Sequence, residues 1–321
     1  MTEIEITKIL EKDKRSIARA ITRVESEREG YAGLLEELHR HTGRAYKVGI
    51  TGPPGAGKST LTLQLVKLLR KQGITVAVIA VDPTSPFTGG ALLGDRVRMT
   101  EIGNLDGVFI RSMATRGSLG GLSRKTVDAS DVLDAAGYEV IIYETVGVGQ
   151  SELDIAKAAD TTIVVLVPES GDTVQAMKAG LMEIADFFVL NKGDRPGAEQ
   201  AVASIKTMLQ FRDHDETSWM PAVIKTSANE NKGIDEVALE IERHKEYLVS
   251  TGKLMLRRKE REKNRLEEIV ESEILGELWS SGGTQFLHDS IQGVLEKQIS
   301  PYTLSKKIIE KYKEFLKERQ Q

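Results

Sequence analysis

The chain has 321 residues, of which 40% are hydrophobic and 29% are charged, and its formal net charge is −4. This length predicts one core domain with flanking segments, and the slightly acidic balance gives no reason to expect a nucleic-acid partner. Because cysteine is absent, disulfides and thiolate metal sites are excluded, and a reducing compartment such as the cytoplasm is expected.

Neither the N-terminal residues nor the most apolar run of the chain predicts a segment that enters a membrane. The first residues lack the basic segment followed by an apolar segment that marks a secretory signal. The run Ile163-Val164-Val165-Leu166-Val167 is too short to cross a bilayer and suits a buried parallel strand. We therefore expect a soluble, cytoplasmic protein without a membrane partner.

A glycine-rich motif follows the first predicted strand. Apolar residues at helical spacing predict two helices over residues 4–41, and residues 45–51 form the strand. The motif consists of Gly52, Pro53, Pro54, Gly55, Ala56, Gly57, Lys58, Ser59 and Thr60. Its spacing is typical of a phosphate-binding loop, in which backbone N–H groups surround the phosphates, Lys58 reaches the β- and γ-phosphates and Ser59 offers a hydroxyl to Mg²⁺. With the positive end of the next helix behind it, the motif predicts a nucleoside triphosphate site.

Strands and helices alternate through the middle of the chain. Further strands are predicted at residues 74–81, 107–111, 140–143, 162–167, 187–190 and 222–226. This order predicts an α/β, P-loop NTPase fold with a mostly parallel sheet and helices on both faces. Polar loops follow the strands, and ligands of such sheets bind at the carboxyl ends of the strands. We divide the chain into an N-terminal helical segment (1–43), a nucleotide-binding domain (44–250) and a C-terminal helical extension (251–321).

The C-terminal extension is predicted to form helices. Residues 253–278 form a charged helix whose run at 257–263 we interpret as a solvated face. A glycine pair at 282–283 interrupts the helices, and Ser300-Pro301 starts the last one. Several apolar residues of the charged helix need cover, and a second copy of the chain would supply it, so a homodimer is predicted. These residues are Leu266, Ile269, Ile274, Leu275 and Leu278.

A second motif, Asn191-Lys192-Gly193-Asp194, follows the strand predicted at 187–190. A carboxylate at Asp194, placed edge-on to guanine, accepts hydrogen bonds from both the ring N–H and the amino group, a donor pair that adenine lacks. Asn191 and Lys192 are expected to brace the base and the phosphate loop. The expected base site is completed after the last strand by Ser227, Ala228 and Asn229. Together these residues favour GTP over ATP.

The residues after the strand at 140–143 predict a metal and switch region. Glu144-Thr145-Val146-Gly147 stands where GTPases usually carry an aspartate, two residues and a glycine, of which the carboxylate holds the Mg²⁺ shell. The glutamate side chain is one methylene longer than that of aspartate. A direct contact between Glu144 and Mg²⁺ and a contact through water are therefore both compatible with the sequence. In many GTPases the residue after this glycine is a glutamine that orients the attacking water, but here it is Val148, which cannot do so. We therefore expect slow GTP hydrolysis, with Gln150 or a partner protein completing the site. Asp82 and Asp95 are further candidates for contacts with Mg²⁺ or water.

Taken together, these motifs resemble the methylmalonyl-CoA-mutase-associated GTPases, the MeaB/ArgK group. The resemblance runs through nearly the whole chain and rests on residues 52–60, 81–83, 94–96, 144–152 and 175–194. It implies a G protein that uses GTP to gate adenosylcobalamin loading and to protect an acyl-CoA mutase, with hydrolysis stimulated by the mutase. It further implies GTP/GDP and Mg²⁺ as cofactors, a dimer through the C-terminal arm and a cobalamin adenosyltransferase as an additional partner. The family's additional mobile loop corresponds to residues 168–178, where Pro168-Glu169-Ser170-Gly171 departs from the expected proline-glycine pair.

Three other functions are compatible with a phosphate loop. A nickel-insertion GTPase would need cysteine or clustered histidine, whereas the histidines are scattered: they are His39, His41, His214, His244 and His288. A P-loop kinase for a small molecule is disfavoured by the motif at residues 191–194, which we call the guanine motif, and by the several switch-like loops after the strands. A purely structural nucleotide-binding module would show no hydrolysis. Within the favoured interpretation, methylmalonyl-, isobutyryl- and ethylmalonyl-CoA mutases all stay open as partners.

Overall fold

The computed structural model describes residues 3–82, 102–103, 105–114, 124–145, 151–168, 180–211, 215 and 218–319. The chain forms two compact units, Met1–Arg258 and Lys259–Gln321. The first unit contains a parallel sheet, and the second is helical throughout its described residues. The division into segments 1–43, 44–250 and 251–321 stays a prediction.

Three helices precede the sheet, so the prediction of two was wrong. They are α1 (Glu3–Leu10), α2 (Lys14–Glu25) and α3 (Tyr31–His39). The first break falls at Lys12, which has a left-handed φ of 62°, and at Asp13, whose side chain accepts a hydrogen bond from the Ser16 N–H at 2.8 Å. An aspartate in this position caps a new helix, and this local signal overrides the continuous apolar spacing.

In the part of the chain that the structure describes, the sheet has seven parallel strands. In chain order they are β1 (Tyr46–Thr51), β2 (Val76–Asp82), β3 (Val108–Ala114), β4 (Val140–Thr145), β5 (Thr161–Leu166), β6 (Phe187–Leu190) and β7 (Val223–Lys225). The spatial order is β3-β2-β4-β1-β5-β6-β7. All residues of β1, β5 and β6 are buried, as expected for central strands that are covered on both faces. The prediction of a parallel sheet is confirmed.

Helices cover both faces of the sheet. The described helices that follow β1 in this unit are α4 (Lys58–Lys71), α5 (Arg124–Ala135), α6 (Ser151–Ala158), α7 (Leu181–Ile184), α8 (Ala198–Leu209) and α9 (Ile234–Ser250). Side chains of β4 alternate between the faces: Ile141 and Tyr143 pack with α2, α5 and α6, whereas Ile142 packs with α4 and α9. Among the residues that the structure describes, no helix is long and apolar enough to cross a membrane.

Two arginines of the helix α10 (Lys253–Leu278) contact aspartates at the amino-terminal ends of two central strands. Arg258 contacts Asp160, which directly precedes β5, with Nη2 2.8 Å from Oδ2. Arg257 contacts Asp186, which directly precedes β6, with Nη2 2.9 Å from Oδ1. The interpretation of the whole charged run as a solvated face was therefore wrong for Arg258, which is paired with a fully buried carboxylate. Arg257 is paired with the buried Asp186, but its own side chain stays 43% exposed.

Asp186 stays ionised in this buried position because of its neighbours. Burial alone raises the pKa of this carboxyl, but the hydrogen bonds and charges of His244 and Arg257 outweigh it and hold the pKa below the usual value. His244 Nε2 lies 3.2 Å from Asp186 Oδ1, and His244 Nδ1 lies 2.8 Å from the Thr161 hydroxyl. The amino-terminal ends of β5 and β6 are thus fixed by a network of buried polar contacts.

The second unit consists of the end of one helix and two further helices. The helix α10 (Lys253–Leu278) is followed by a wide turn, Trp279–Gly283, and then by α11 (Thr284–Leu295) and α12 (Pro301–Glu318). The predicted break is found at Gly282, whose φ of 98° is left-handed. Tyr312 donates its hydroxyl proton to Glu277 Oε2 at 2.8 Å, which joins α12 to α10.

Candidate nucleotide site

The phosphate loop lies between β1 and α4, and two of its glycines are required by their surroundings. Gly52 has a φ of 134°, and a Cβ atom there would lie 2.1 Å from the Val165 carbonyl oxygen. Gly57 has a φ of 88°, and a Cβ atom there would lie 2.3 Å from Asn191 Nδ2. Both positions therefore exclude other residues. The loop is packed against β5 on one side and against the guanine motif on the other.

Lys58 is buried at the first turn of α4. Its Nζ donates hydrogen bonds to the Gly52 carbonyl oxygen at 2.8 Å and to the Pro53 carbonyl oxygen at 2.9 Å. These bonds hold a positive charge inside the curl of the loop. Together with the N-terminal end of α4, this charge makes the loop attractive to phosphate.

Ser59 and Glu144 bring a hydroxyl and a carboxylate, both predicted metal ligands, together beside the loop. The Ser59 hydroxyl donates to Glu144 Oε1 at 2.5 Å, and the Glu144 side chain is buried at the end of β4. A hydroxyl and a carboxylate are hard donors that suit Mg²⁺, which usually takes few protein ligands and completes its shell with phosphate and water. The residues present therefore fit this ion. When bound, Mg²⁺ neutralises charge on the β- and γ-phosphates.

The remaining predicted metal and water ligands are only partly described. Asp82 is the last residue of β2, so its backbone ends at the same edge of the sheet as Glu144. Asp95 and Gln150 lie outside the described residues, as do Val148 and the loop at 169–178. Within the described parts of the chain, no group of three or more histidine, aspartate or glutamate side chains could hold a metal ion.

Asn191 connects the guanine motif to the phosphate loop and to the last strand. Its Nδ2 donates to the Ala56 carbonyl oxygen at 2.8 Å. Its Oδ1 accepts from the Thr226 hydroxyl and from the Ala228 N–H, both at 3.1 Å. The side chain is 3% exposed. Thr226 was not among the predicted site residues, because a single threonine at a strand end carries no recognisable spacing.

Asp194 is the exposed carboxylate of the guanine motif. Ser227 donates its hydroxyl proton to Asp194 Oδ1 at 2.9 Å, and this hydrogen bond lowers the pKa of Asp194 below its usual value. The ionised form is the one that accepts both guanine donors. Lys192, in the same motif, has a left-handed φ of 57°. Asn229 lies in a short 3₁₀ turn, Ala228–Glu230, that follows the last strand.

The geometry thus brings most of the described candidates to one edge of the sheet. Lys58 and Ser59 follow β1, Glu144 ends β4, and Asn191 follows β6. Contacts between side chains and backbone join the phosphate loop to the guanine motif, and Glu144 to Ser59. This arrangement suits a guanine nucleotide with Mg²⁺, and the role of each residue stays a prediction.

Comparison with known proteins agrees with this geometry. A putative GTPase of Pyrococcus abyssi is 50% identical over 299 residues, which are 92% of each chain. GTPase ArgK of Escherichia coli K12 is 36% identical over 309 residues, which are 93% of this chain and 92% of ArgK. The crystal structure of a LAO/AO transport system kinase is 29% identical with a TM-score of 0.73, covering 97% of this chain and 98% of that one.

The family comparison is equally extensive. A relative from Mus musculus named methylmalonic aciduria type A homolog, mitochondrial, is 35% identical over 286 residues, which are 84% of this chain and 69% of that protein. The family described as methylmalonyl Co-A mutase-associated GTPase MeaB matches residues 17–282. The chain therefore belongs to the MeaB family of P-loop GTPases.

Proposed function

We propose that this protein is a G-protein chaperone that uses GTP to gate the loading of adenosylcobalamin into an acyl-CoA mutase of the methylmalonyl-CoA mutase type, and to protect that mutase. The observation that carries the proposal is the family match over residues 17–282, because the family is named for its association with that mutase. The relative named for methylmalonic aciduria supports the same partner. A cobalamin adenosyltransferase would be the natural donor in such a system, and the absence of cysteine suits the cytoplasm.

The site supports slow hydrolysis that a partner accelerates. Lys58, Ser59 and Glu144 supply charge and metal ligands for GTP, with Mg²⁺ as the cofactor. Val148 stands where a water-orienting glutamine is common. Gln150 or a residue of the partner would complete the site. A GTPase of this kind reports its nucleotide state to the protein that stimulates it.

The second unit supports a homodimer. Apolar side chains of α10 recur every four residues and are exposed: Leu266 is 62%, Val270 45% and Ile274 50% exposed. None of the side chains of α10 or α11 is buried within the chain. An apolar stripe of this length on a helix is commonly covered by another helix. A second copy would supply that helix through a symmetric contact.

The nickel-insertion alternative gains no support from His244. His244 is fully buried and lies against Thr161, Asp186 and Trp219. A histidine with these contacts is a structural residue at the amino-terminal ends of β5 and β6. The kinase and structural-module alternatives are separated from the proposal by the experiment below.

The test is the rate of GTP hydrolysis with and without purified methylmalonyl-, isobutyryl- or ethylmalonyl-CoA mutase, with ATP as the control nucleotide. The proposal predicts slow turnover of GTP alone, faster turnover with one of the mutases, and little turnover of ATP. A rate that none of these mutases changes would overturn the chaperone role, and a preference for ATP would overturn the assignment of the base site.

A further inference from the structure

Two buried threonine hydroxyls join the entry of the phosphate loop to the end of β4. Thr145 donates from Oγ1 to Thr51 Oγ1 at 3.0 Å, and the two residues are 1% and 0% exposed. Thr51 is the last residue of β1, and Thr145 is the last residue of β4. These neighbouring strands pair in parallel, with Ile50 opposite Glu144. The hydrogen bond therefore lies one position beyond the pair Ile50 and Glu144, where both strands leave the sheet.

Each threonine is next to a residue of the nucleotide site. Thr51 precedes Gly52, which is confined beneath the Val165 carbonyl oxygen. Thr145 follows Glu144, whose carboxylate receives the Ser59 hydrogen bond. Successive side chains of a strand point to opposite faces, so the Thr145 hydroxyl holds the strand end from the face opposite to Glu144. A change in the spacing of the two strand ends would move the carboxylate relative to the loop.

We propose that the hydrogen bond between Thr145 and Thr51 is a positioning device for GTP hydrolysis, which sets the distance between Glu144 and the phosphate loop and thereby the shared metal site of Glu144 and Ser59. Neither threonine touches the nucleotide in this account, and both act through their neighbours. Displacements of about 1 Å in a catalytic site lower rates by up to about a hundredfold. The loss of this buried hydrogen bond would leave the spacing of the two strand ends less firmly held.

The test uses Thr145→Val and Thr51→Val. Each variant keeps the shape of the side chain and removes one of the two hydroxyls, so each breaks the hydrogen bond between Thr145 and Thr51. Three quantities are measured: kcat for GTP, GDP affinity with Mg²⁺, and GDP affinity in EDTA, the last two by titration with a fluorescent GDP. Either variant should lower kcat about tenfold and reduce the gain in GDP affinity that Mg²⁺ provides by a similar factor. Affinity in EDTA should stay within about twofold of wild type, because the base site and the loop are unchanged. Thr145→Ser restores the hydroxyl and should recover most of the loss.

The matched control is Tyr143→Phe. Tyr143 lies two residues earlier on the same face of β4, and its buried hydroxyl donates to the Ser130 hydroxyl at 2.7 Å. This variant removes a similar bond without touching the strand ends, so kcat and the Mg²⁺-dependent gain should stay at wild-type values. The double variant Thr51→Val, Thr145→Val should be no worse than either single variant, because both remove one bond.

Three results would overturn the proposal. The first is that both valine variants keep the wild-type kcat and the wild-type gain in GDP affinity on addition of Mg²⁺. The second is that Tyr143→Phe lowers these two quantities as much as the valine variants do. The third is that the double variant loses the sum of the two single losses. A merely structural role would lower GDP affinity in EDTA as much as in Mg²⁺. If one valine variant does not fold, the other breaks the same bond and gives the answer.

Discussion

Asn191 joins the predicted guanine motif (residues 191–194) to the phosphate loop through one hydrogen bond, from its Nδ2 to the Ala56 carbonyl oxygen at 2.8 Å. The same side chain accepts from Thr226 and from the Ala228 N–H. Two parts of the nucleotide site that are 135 residues apart in sequence are therefore held in one geometry. This makes Asn191 a structural link within the predicted nucleotide site.

Asn191→Ala removes all three hydrogen bonds and should weaken GDP binding about 10- to 100-fold, because the loop and the base site lose their common support. Titration with fluorescent GDP measures the change. Thr226→Val is the matched control, since it removes only one of the three bonds and should cost less than about tenfold. GDP affinity within about twofold of wild type in Asn191→Ala would contradict the account.

The pH dependence of nucleotide binding should depend on Ser227. The Ser227 hydroxyl lowers the pKa of Asp194, and the predicted contact with guanine requires the ionised carboxylate. GDP affinity should therefore stay constant as the pH falls from about 7. It should decline only below about pH 4, the ordinary pKa of an aspartate carboxyl, where Asp194 becomes protonated. In Ser227→Ala the pKa of Asp194 rises towards its usual value, so the decline should begin at a higher pH. Coincident pH profiles for the two proteins, each normalised at neutral pH, would rule this out.

Arg258 should contribute strongly to stability. It pairs with the fully buried Asp160 and also donates to the carbonyl oxygens of Gly43 and Ala45. Arg258→Met leaves a buried carboxylate without this partner and should lower the free energy of unfolding by about 2–4 kcal/mol, as measured by urea denaturation of the full chain. Lys259→Met is the control at the next, exposed position, with an expected change within about 0.5 kcal/mol. Equal losses in both variants would be inconsistent with the ion pair.

Arg258 also shows where sequence analysis reaches its limit. The run at 257–263 is charged and lies in a helix, and nothing in its spacing indicates that two of its arginines meet aspartates about 70 and 100 residues earlier. The same holds for the bond between Thr51 and Thr145, which depends on strand register. By contrast, β6 was predicted at its observed bounds, because a short run of buried apolar residues between polar turns leaves little choice.

The nucleotide site was easier to anticipate than these long-range contacts. Each motif follows a strand, and the carboxyl ends of parallel strands meet at one edge, so Lys58, Glu144 and Asn191 were expected to be neighbours. Their individual partners, such as Thr226 for Asn191, required the structure. The break between α1 and α2 was missed because Asp13 gives only a local capping signal within a continuous apolar pattern.

The exposed stripe of α10 should control the oligomeric state. Ile274→Lys places a charge on this stripe, and the proposed dimer should become a monomer because a buried unpaired charge is costly at an interface. Light scattering coupled to size-exclusion chromatography measures the mass. Glu267→Lys changes the charge at another exposed position of α10 and should leave the dimer intact. A monomeric wild-type protein, or an Ile274→Lys variant that stays dimeric, would contradict the proposed interface.

The most direct test of the central claim is the transfer of adenosylcobalamin to the mutase, followed by its absorbance, in the presence of GTP or GDP. Lys58 holds its charge inside the phosphate loop, and Lys58→Ala should abolish GTP turnover and, with it, nucleotide control of the transfer. We expect transfer that differs between GTP and GDP for the wild-type protein and is the same with both for Lys58→Ala. Transfer by Lys58→Ala that still depends on GTP, or wild-type transfer that ignores the nucleotide, would contradict it.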